Sequence, residues 1–252
     1  MNWADGAAPV RVNVADTAAL LADLETRLSA ARGFSIATLN LDHAVKLARD
    51  PAFATAYAAH SHVTADGNPV VWLSRLAGQG EVQLVPGSEL ITPVAALAAR
   101  LGVPVGLFGA TDASLKAATE ALKAAHPGVQ VAFCQAPPMG FDPDGEGAQA
   151  AIDAIKASGA RVIFLALGAP KQERFAARAA AQLGDSGFLS IGAGLDFISG
   201  AQVRAPAWVR AIAAEWLWRL AGNPMRLAGR YGACIAALPR LIWAALAARR
   251  AS

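Results

Sequence analysis

Six short apolar runs limit what this chain can fold into. They are GFSIATLN (33–40), HVTADG (62–67), VPVGLFGA (103–110), VQVAFCQA (129–136), RVIFLALGA (161–169) and GFLSIGAGLDF (187–197). Ala-rich stretches of helical length separate most of them. Runs that stay apolar at consecutive positions, rather than at every second one, fit strands covered on both faces. Such strands alternating with helices make an α/β fold: a Rossmann-like, mostly parallel sheet with helices on both faces. A chain of 252 residues, 55% hydrophobic, supplies one such core and an appendage.

In an open parallel sheet, ligands bind beyond the carboxyl ends of the strands. Those ends carry Thr38 and Asn40, Asp66-Gly67, Gly109-Ala110-Thr111-Asp112, Gly168-Ala169-Pro170 and Gly192-Ala193-Gly194-Leu195-Asp196. Glycines let a backbone approach a phosphate, and helix N-termini offer free N–H groups and positive dipole. Their convergence points to a nucleotide or sugar-phosphate ligand.

Each residue also has a plain structural reading. Asp66 can deprotonate a hydroxyl at the ligand edge, or serve as a turn aspartate before Gly67. Asn40 and Thr38 can hydrogen-bond a sugar, but Asn40 equally reads as an N-cap and Thr38 as a β-branched strand residue. In LALGAPKQERF the strand stops at a Gly-Ala-Pro turn and a helix starts with Pro170 at its first position. Lys171, Gln172 and Glu173 then crowd its first turn, either as ligand groups or as surface residues.

Two metal readings are weak. Asp142 and Asp144 have a DxD spacing, but Pro143 and the following glycines make a solvated turn before a helix at 147–158. His60 and His62 would share one face of a strand, and with Asp66 they lack a further ligand. The two cysteines, Cys134 and Cys234, have neither disulfide nor metal spacing, which fits a reducing compartment.

The N-terminal MNWADGAAPVRVNVAD has no basic segment leading into an apolar core, so no signal peptide is expected. No transmembrane helix is expected either, because Pro239-Arg240 cuts the best candidate, YGACIAALPRLIWAALA. Charge is uneven. From Arg204 onward there are eight arginines and one acid, Glu215, a net +7 in a chain whose total is +3. Such a tail calls for an anionic partner. Residues 1–199 read as the α/β core and 200–252 as a helical appendage, broken near Gly222-Asn223-Pro224 and at Pro239. Tryptophans 208, 216, 218 and 243 lie in it. Arg219, Arg226 and Arg230 share a helix face if Pro224 keeps the register. Arginine and tryptophan on amphipathic helices suit an anionic membrane surface. Nothing resembles a nucleic-acid recognition motif.

Taken together, TLNLDHAV, TADGNPVVWLSRL, VPGSEL, LFGATD, HPGVQV, PPMGF, LGAPKQERF, IGAGLDFISGAQVRAPAWV, EWLWRL and NPMRLAGRY resemble, in order, the WecG/TagA/CpsF family of bacterial glycosyltransferases over roughly residues 12–245. Departures are conservative: Gly87-Ser88-Glu89 for Gly-Ser-Asp, and Gly194-Leu195-Asp196 for GxFD. The resemblance implies inverting transfer of a hexose (N-acetylmannosamine, its uronic acid, or glucose) from a UDP-sugar to an undecaprenyl-diphosphate-linked saccharide. It also implies a cytoplasmic enzyme held peripherally at the inner face of the plasma membrane, and leaves room for a homo-oligomer. The resemblance likewise implies no essential metal or other cofactor. By position, Asp66 falls on the family's proposed base, Thr38 and Asn40 on its active-site Thr and Asn, and Gln172 on the glutamine of its PKQE motif. Gly109, Gly168, Ala169 and Lys171 join the substrate wall, with Gln172 turned toward the ligand. Arg204, Arg219, Arg226 and Arg230 belong with the tail arginines that reach a lipid diphosphate.

Two rivals remain on the residues alone. A nucleotide-sugar oxidoreductase or epimerase would want Gly-x-Gly-x-x-Gly at the first strand, which GFSIATLNLDHA lacks. A non-catalytic membrane-surface protein would leave the polar strand ends without a purpose.

Overall fold

The computed structural model describes residues 1–4, 9–202, 205–206, 208–209, 215–222 and 224–251. Its first half runs α1 (Thr17–Ser29), β1 (Phe34–Leu39), α2 (Leu41–Leu47), α3 (Pro51–Ala58), β2 (His62–Ala65), α4 (Asn68–Leu76), α5 (Gly87–Leu101) and β3 (Val105–Gly109). The rest runs α6 (Asp112–Ala125), β4 (Val131–Gln135), α7 (Glu146–Ser158), β5 (Val162–Ala166), α8 (Lys171–Gln182), β6 (Gly187–Ser190) and α9 (Gly194–Ile198). Among the described residues beyond it lie α10 (Glu215–Gly222) and α11 (Pro224–Arg250). All six apolar runs contain a strand, each within the expected bounds.

The strands form one sheet in the order β2-β1-β6-β5-β3-β4, and all pairs are parallel. Helices cover both faces. Phe34, Ile36, Val105, Leu107, Val162, Phe164 and Leu189 pack on one side with α1, α5 and α6. On the other, Ala37, Leu39, Val63 and Ala65 pack with α2, α3 and α4. Phe108, Ile163, Leu165 and Phe188 pack there with α7 and α8. The alternation of sides along each strand is the strand's two-residue period. Burial on both sides is why the runs read as continuously apolar.

β1 and β6 meet closely. Gly187 pairs with Phe34, and a Cβ on Gly187 would fall 2.2 Å from Phe34 Cζ. The connection after β1 enters α2 on one face, while Leu195 in α9, after β6, packs on the other. Connections that diverge from neighbouring strands open a crevice at the carboxyl edge.

The tail departs from expectation at Pro239. Between α10 and α11 stands residue 223, which lies outside the described residues, and with it the expected break near Pro224. At Pro239, however, α11 continues unbroken for 27 residues in all. Proline there removes one intrahelical hydrogen bond. Docking offsets that loss, because Leu241 and Ala245 are buried in the cluster formed by α2 and α4. The span Leu227–Arg250 is thereby long and apolar enough, by length and composition, to cross a membrane. That corrects the expectation of no such segment. The side away from the core exposes Ile235, Ile242, Leu246 and Trp243, the last 74% exposed.

Candidate active site

The site is built from the ends of β1, β2, β5 and β6. Parallel pairing sets Leu39 beside Ala65, and the Asp66 N–H donates to the Leu39 carbonyl at 2.7 Å. Asn40 and Asp66 therefore stand at neighbouring strand ends. Gly67 follows with φ 124°, a conformation that favours glycine, and α4 starts from it without a side-chain cap. Asn40 does cap α2, its Oδ1 accepting the His43 N–H at 3.0 Å. For a ligand Asn40 retains its amide nitrogen and the second lone pair of Oδ1.

Behind these two lies a buried polar cluster. The Tyr57 hydroxyl and His43 Nδ1 share a hydrogen bond of 3.2 Å. Burial raises the Tyr57 pKa well above its ordinary value, and the charges of Glu173 and Asp66 add to the rise. Burial also pushes His43 down to about 3, with Lys46 adding to the shift, so the ring is neutral at ordinary pH. Tyr57 is thus the residue that feels both Asp66 and the head of α8.

That head is the second wall. Gly168 has φ 72° and would leave a Cβ in open space. Pro170 is the cap residue of α8, one position before the helix, and offers no side-chain bond. Lys46 Nζ donates to the Ala169 carbonyl at 3.2 Å. Lys171, first in the helix, is partly exposed.

Gln172 is not turned outward as expected. Its Oε1 accepts the Gly192 N–H at 3.2 Å and its Nε2 donates to Glu173 Oε1 at 2.8 Å, leaving it 2% exposed. With both ends of the amide engaged, Gln172 braces α8 against the turn after β6. Glu173 is 0% exposed, its Oε2 has no hydrogen-bond partner, and burial lifts its pKa to about 7.

Thr38 and Gly109 serve the frame. Thr38 is buried and its hydroxyl donates to the Ser190 carbonyl at 3.5 Å. A Cβ on Gly109 would lie 2.4 Å from the Ala166 carbonyl group. On the opposite face, Gly87 opens α5 against the Ser190 carbonyl, 2.7 Å from where its Cβ would be. Like α4 and α8, α5 begins without a side-chain cap. By contrast α1, α2, α3 and α6 are capped by Asp16, Asn40, Asp50 and Thr111. Uncapped starts leave N–H groups for an anionic ligand.

Arg204 lies outside the described residues, as do the side chains of Arg219 and Arg226. Arg230 pairs with Asp42 at 3.2 Å. The residues of the two metal readings make other contacts. Asp144 pairs with Arg174, and Asp142 Oδ1 accepts the Asp144 N–H at 3.0 Å. His60 precedes β2, its Nδ1 2.8 Å from the Ala56 carbonyl oxygen, and His62 Nε2 meets Asp23 at 2.8 Å, both at the end of β2 remote from Asp66. Among the described residues, no group of three or more His, Cys, Asp or Glu is arranged to hold a metal ion.

Sequence reasoning missed Asp42, Lys46, His43 and Tyr57. The i,i+4 spacing of Asp42 and Lys46 in a helix opening at Leu41 signals their 2.7 Å ion pair. Nothing local signals Tyr57.

An all-parallel sheet with a carboxylate and uncapped helix starts at neighbouring strand ends is an arrangement able to receive an anionic ligand. The chain belongs to the glycosyl transferase WecG/TagA/CpsF family, whose model matches residues 7–252. It is similar to the N-acetylglucosaminyldiphosphoundecaprenol N-acetyl-beta-D-mannosaminyltransferase of Bacillus spizizenii (strain ATCC 23059 / NRRL B-14472 / W23), 27% identical over 229 residues, or 90% of this chain and 84% of that one. Family membership makes it a glycosyltransferase and sets aside the oxidoreductase and non-catalytic readings.

Proposed function

We propose that this glycosyltransferase moves a hexose, with inversion, from a UDP-sugar to an undecaprenyl-diphosphate-linked saccharide. The Bacillus relative supports the acceptor class, since its name specifies a diphosphoundecaprenol carrying N-acetylglucosamine. The observation that carries the reading is the position of Asp66 beside the end of β1, its N–H bonded to the Leu39 carbonyl at 2.7 Å, with the uncapped α4 starting from the next residue.

Asp66 accepts the proton of an acceptor hydroxyl as that oxygen attacks the anomeric carbon. The new C–O bond forms as the bond to the UDP β-phosphate oxygen breaks, so one in-line displacement inverts the centre. Charge gathering on the leaving UDP is met by the N-termini of α8 and α5. Arginines of the tail contribute planar forks suited to phosphate. The reading calls for no metal ion or other cofactor.

The apolar outer side of α11, with Trp216, Leu217 and Trp218 of α10, rests on the inner face of the plasma membrane, where the lipid acceptor lies. The buried stripe through Leu241 and Ala245 favours a helix lying along the bilayer over one crossing it.

The test is to incubate the protein with UDP-N-acetylmannosamine, its uronic acid and UDP-glucose, each with a short-chain lipid-diphosphate saccharide. One of them should yield product by mass spectrometry, with the opposite anomeric configuration by NMR. Transfer from none, or retention, would reject the reading.

A further inference from the structure

Three charged side chains run in line from the C-terminal helix to the turn that opens α8. Arg230 of α11 pairs with Asp42 of α2 at 3.2 Å, and Asp42 pairs with Lys46 at 2.7 Å. Lys46 Nζ in turn donates to the Ala169 carbonyl at 3.2 Å. Asp42, the middle member, has a side chain only 13% exposed. A carboxylate withdrawn from solvent and shared by two cations is screened less than a surface pair.

At the far end, the Gln172 and Arg174 amides bond the Gly168 and Pro170 carbonyls, and Lys46 supplies the side-chain bond to the Ala169 carbonyl between them. Pro170 provides no side-chain cap, and Gly168 sits at φ 72° against open space. A backbone that glycine leaves permissive takes its shape from what holds its carbonyls. Here Lys46 holds the Ala169 carbonyl, and that fixes the peptide plane from which α8 departs. The same end of the molecule is joined by apolar contact, since Ala169 packs against the cluster that buries Leu241 and Ala245 of α11.

We infer that α11 sets the shape of the Gly168-Ala169-Pro170 turn through Arg230, Asp42 and Lys46, and that these three are positioning residues for the donor diphosphate. The inference rests on the UDP-sugar reading for the ligand, though not for the mechanical link. It gives Arg230 a role other than touching the lipid diphosphate. It also makes seating of the C-terminal helix a condition for a well-formed donor site. When α11 is displaced, Asp42 loses one of its two cations and the cluster loses Leu241 and Ala245. The turn then loosens, and the N-terminus of α8 is no longer pre-arranged for phosphate.

Two measurements on the full chain test this. The first is hydrogen exchange at the Gln172 and Arg174 amides, which bond to the Gly168 and Pro170 carbonyls across the turn. Arg230→Gln and Lys46→Met should each speed exchange there. The second is donor kinetics. Lys46→Met should raise the donor KM roughly tenfold with kcat within about twofold, and Arg230→Gln should raise it about threefold. The double variant should match Lys46→Met alone, because Arg230 acts through Lys46. Unchanged exchange at the turn in Arg230→Gln, or effects that multiply in the double variant, would overturn the inference. Arg230 is 43% exposed, so its variant keeps the fold and decides the matter even if Lys46→Met does not. The exchange measurement needs no donor. A wild-type protein that transferred no sugar would therefore reject the glycosyltransferase chemistry proposed above while this inference was still decided.

Discussion

The two ends of the one sheet are finished in opposite ways. At the amino end, most polar side chains satisfy one another, the buried His60 Nε2 being an exception. Asp23 takes Arg27 and His62, and the Ser61 hydroxyl bonds both Ser35 and His62. Asn13 accepts from the Val63 N–H and donates to the Ser61 carbonyl. At the carboxyl end, α4, α5 and α8 begin without side-chain caps, and Glu173 buries a carboxylate oxygen with no partner. Buried polar groups are normally paired, so an end that leaves bonding capacity unused holds it for something else. The amino end supports the fold, and on the function proposed above the carboxyl end gives up some stability for a ligand.

The sharpest test of that contrast is Asp66→Asn. Turnover should fall roughly a thousandfold while calorimetric UDP-sugar binding stays nearly intact. Unchanged turnover would remove Asp66 as the base.

Glu173→Gln comes next and should show the opposite trade. The folded pKa of Glu173, about 7, lies above its ordinary 4.5. The raised value favours folding fully below pH 4.5, and that contribution is lost as pH rises through 7. At pH 8 the buried carboxylate costs roughly 3 kcal/mol. Denaturant unfolding should find Glu173→Gln more stable by about that amount at pH 8 and little changed at pH 4.5. Equal stability at both values would show that the carboxylate is not strained.

A smaller effect should follow from Ile242→Glu combined with Trp243→Glu on the exposed side of α11. Each lost apolar side chain removes about 1.5 kcal/mol or more of membrane transfer energy. Flotation with anionic vesicles should fall at least tenfold, while activity on a water-soluble short-chain acceptor persists. Undiminished flotation would place the membrane contact elsewhere.

The smallest change belongs to the amino end. Asp23→Ala should lower stability by about 1 kcal/mol in a thermal melt and leave kcat unchanged. A loss of activity there would break the division between the two ends.

The strands were legible because burial on both faces writes itself into consecutive apolar residues. Asn40 was legible as a cap because its bond to His43 is three residues long. What escaped is what depends on distance along the chain. Gln172 finds Gly192 twenty residues away, so nothing local showed that its amide was occupied. Glu173 looked like a surface charge, since a carboxylate in a first helical turn is favourable when exposed. Its burial comes from α8 packing against α3 and the sheet. Pro239 looked like a break because propensity cannot register a helix docked through Leu241 and Ala245. The link from Arg230 to Asp42 joins residues 188 positions apart, which no spacing rule reaches.

The close meeting of Phe34 and Gly187 bears on how such an enzyme can be altered. A single methyl group at residue 187 would collide with the ring, so residue 187 must stay glycine while the paired strands, whose far ends carry Asn40 and Gly192, keep this spacing. The frame of the crevice is therefore a fixed gauge, and variety must come from the segments hung on it. Exchanging residues 83–88 or 168–173 for those of another family member should redirect the choice of sugar without rebuilding the scaffold.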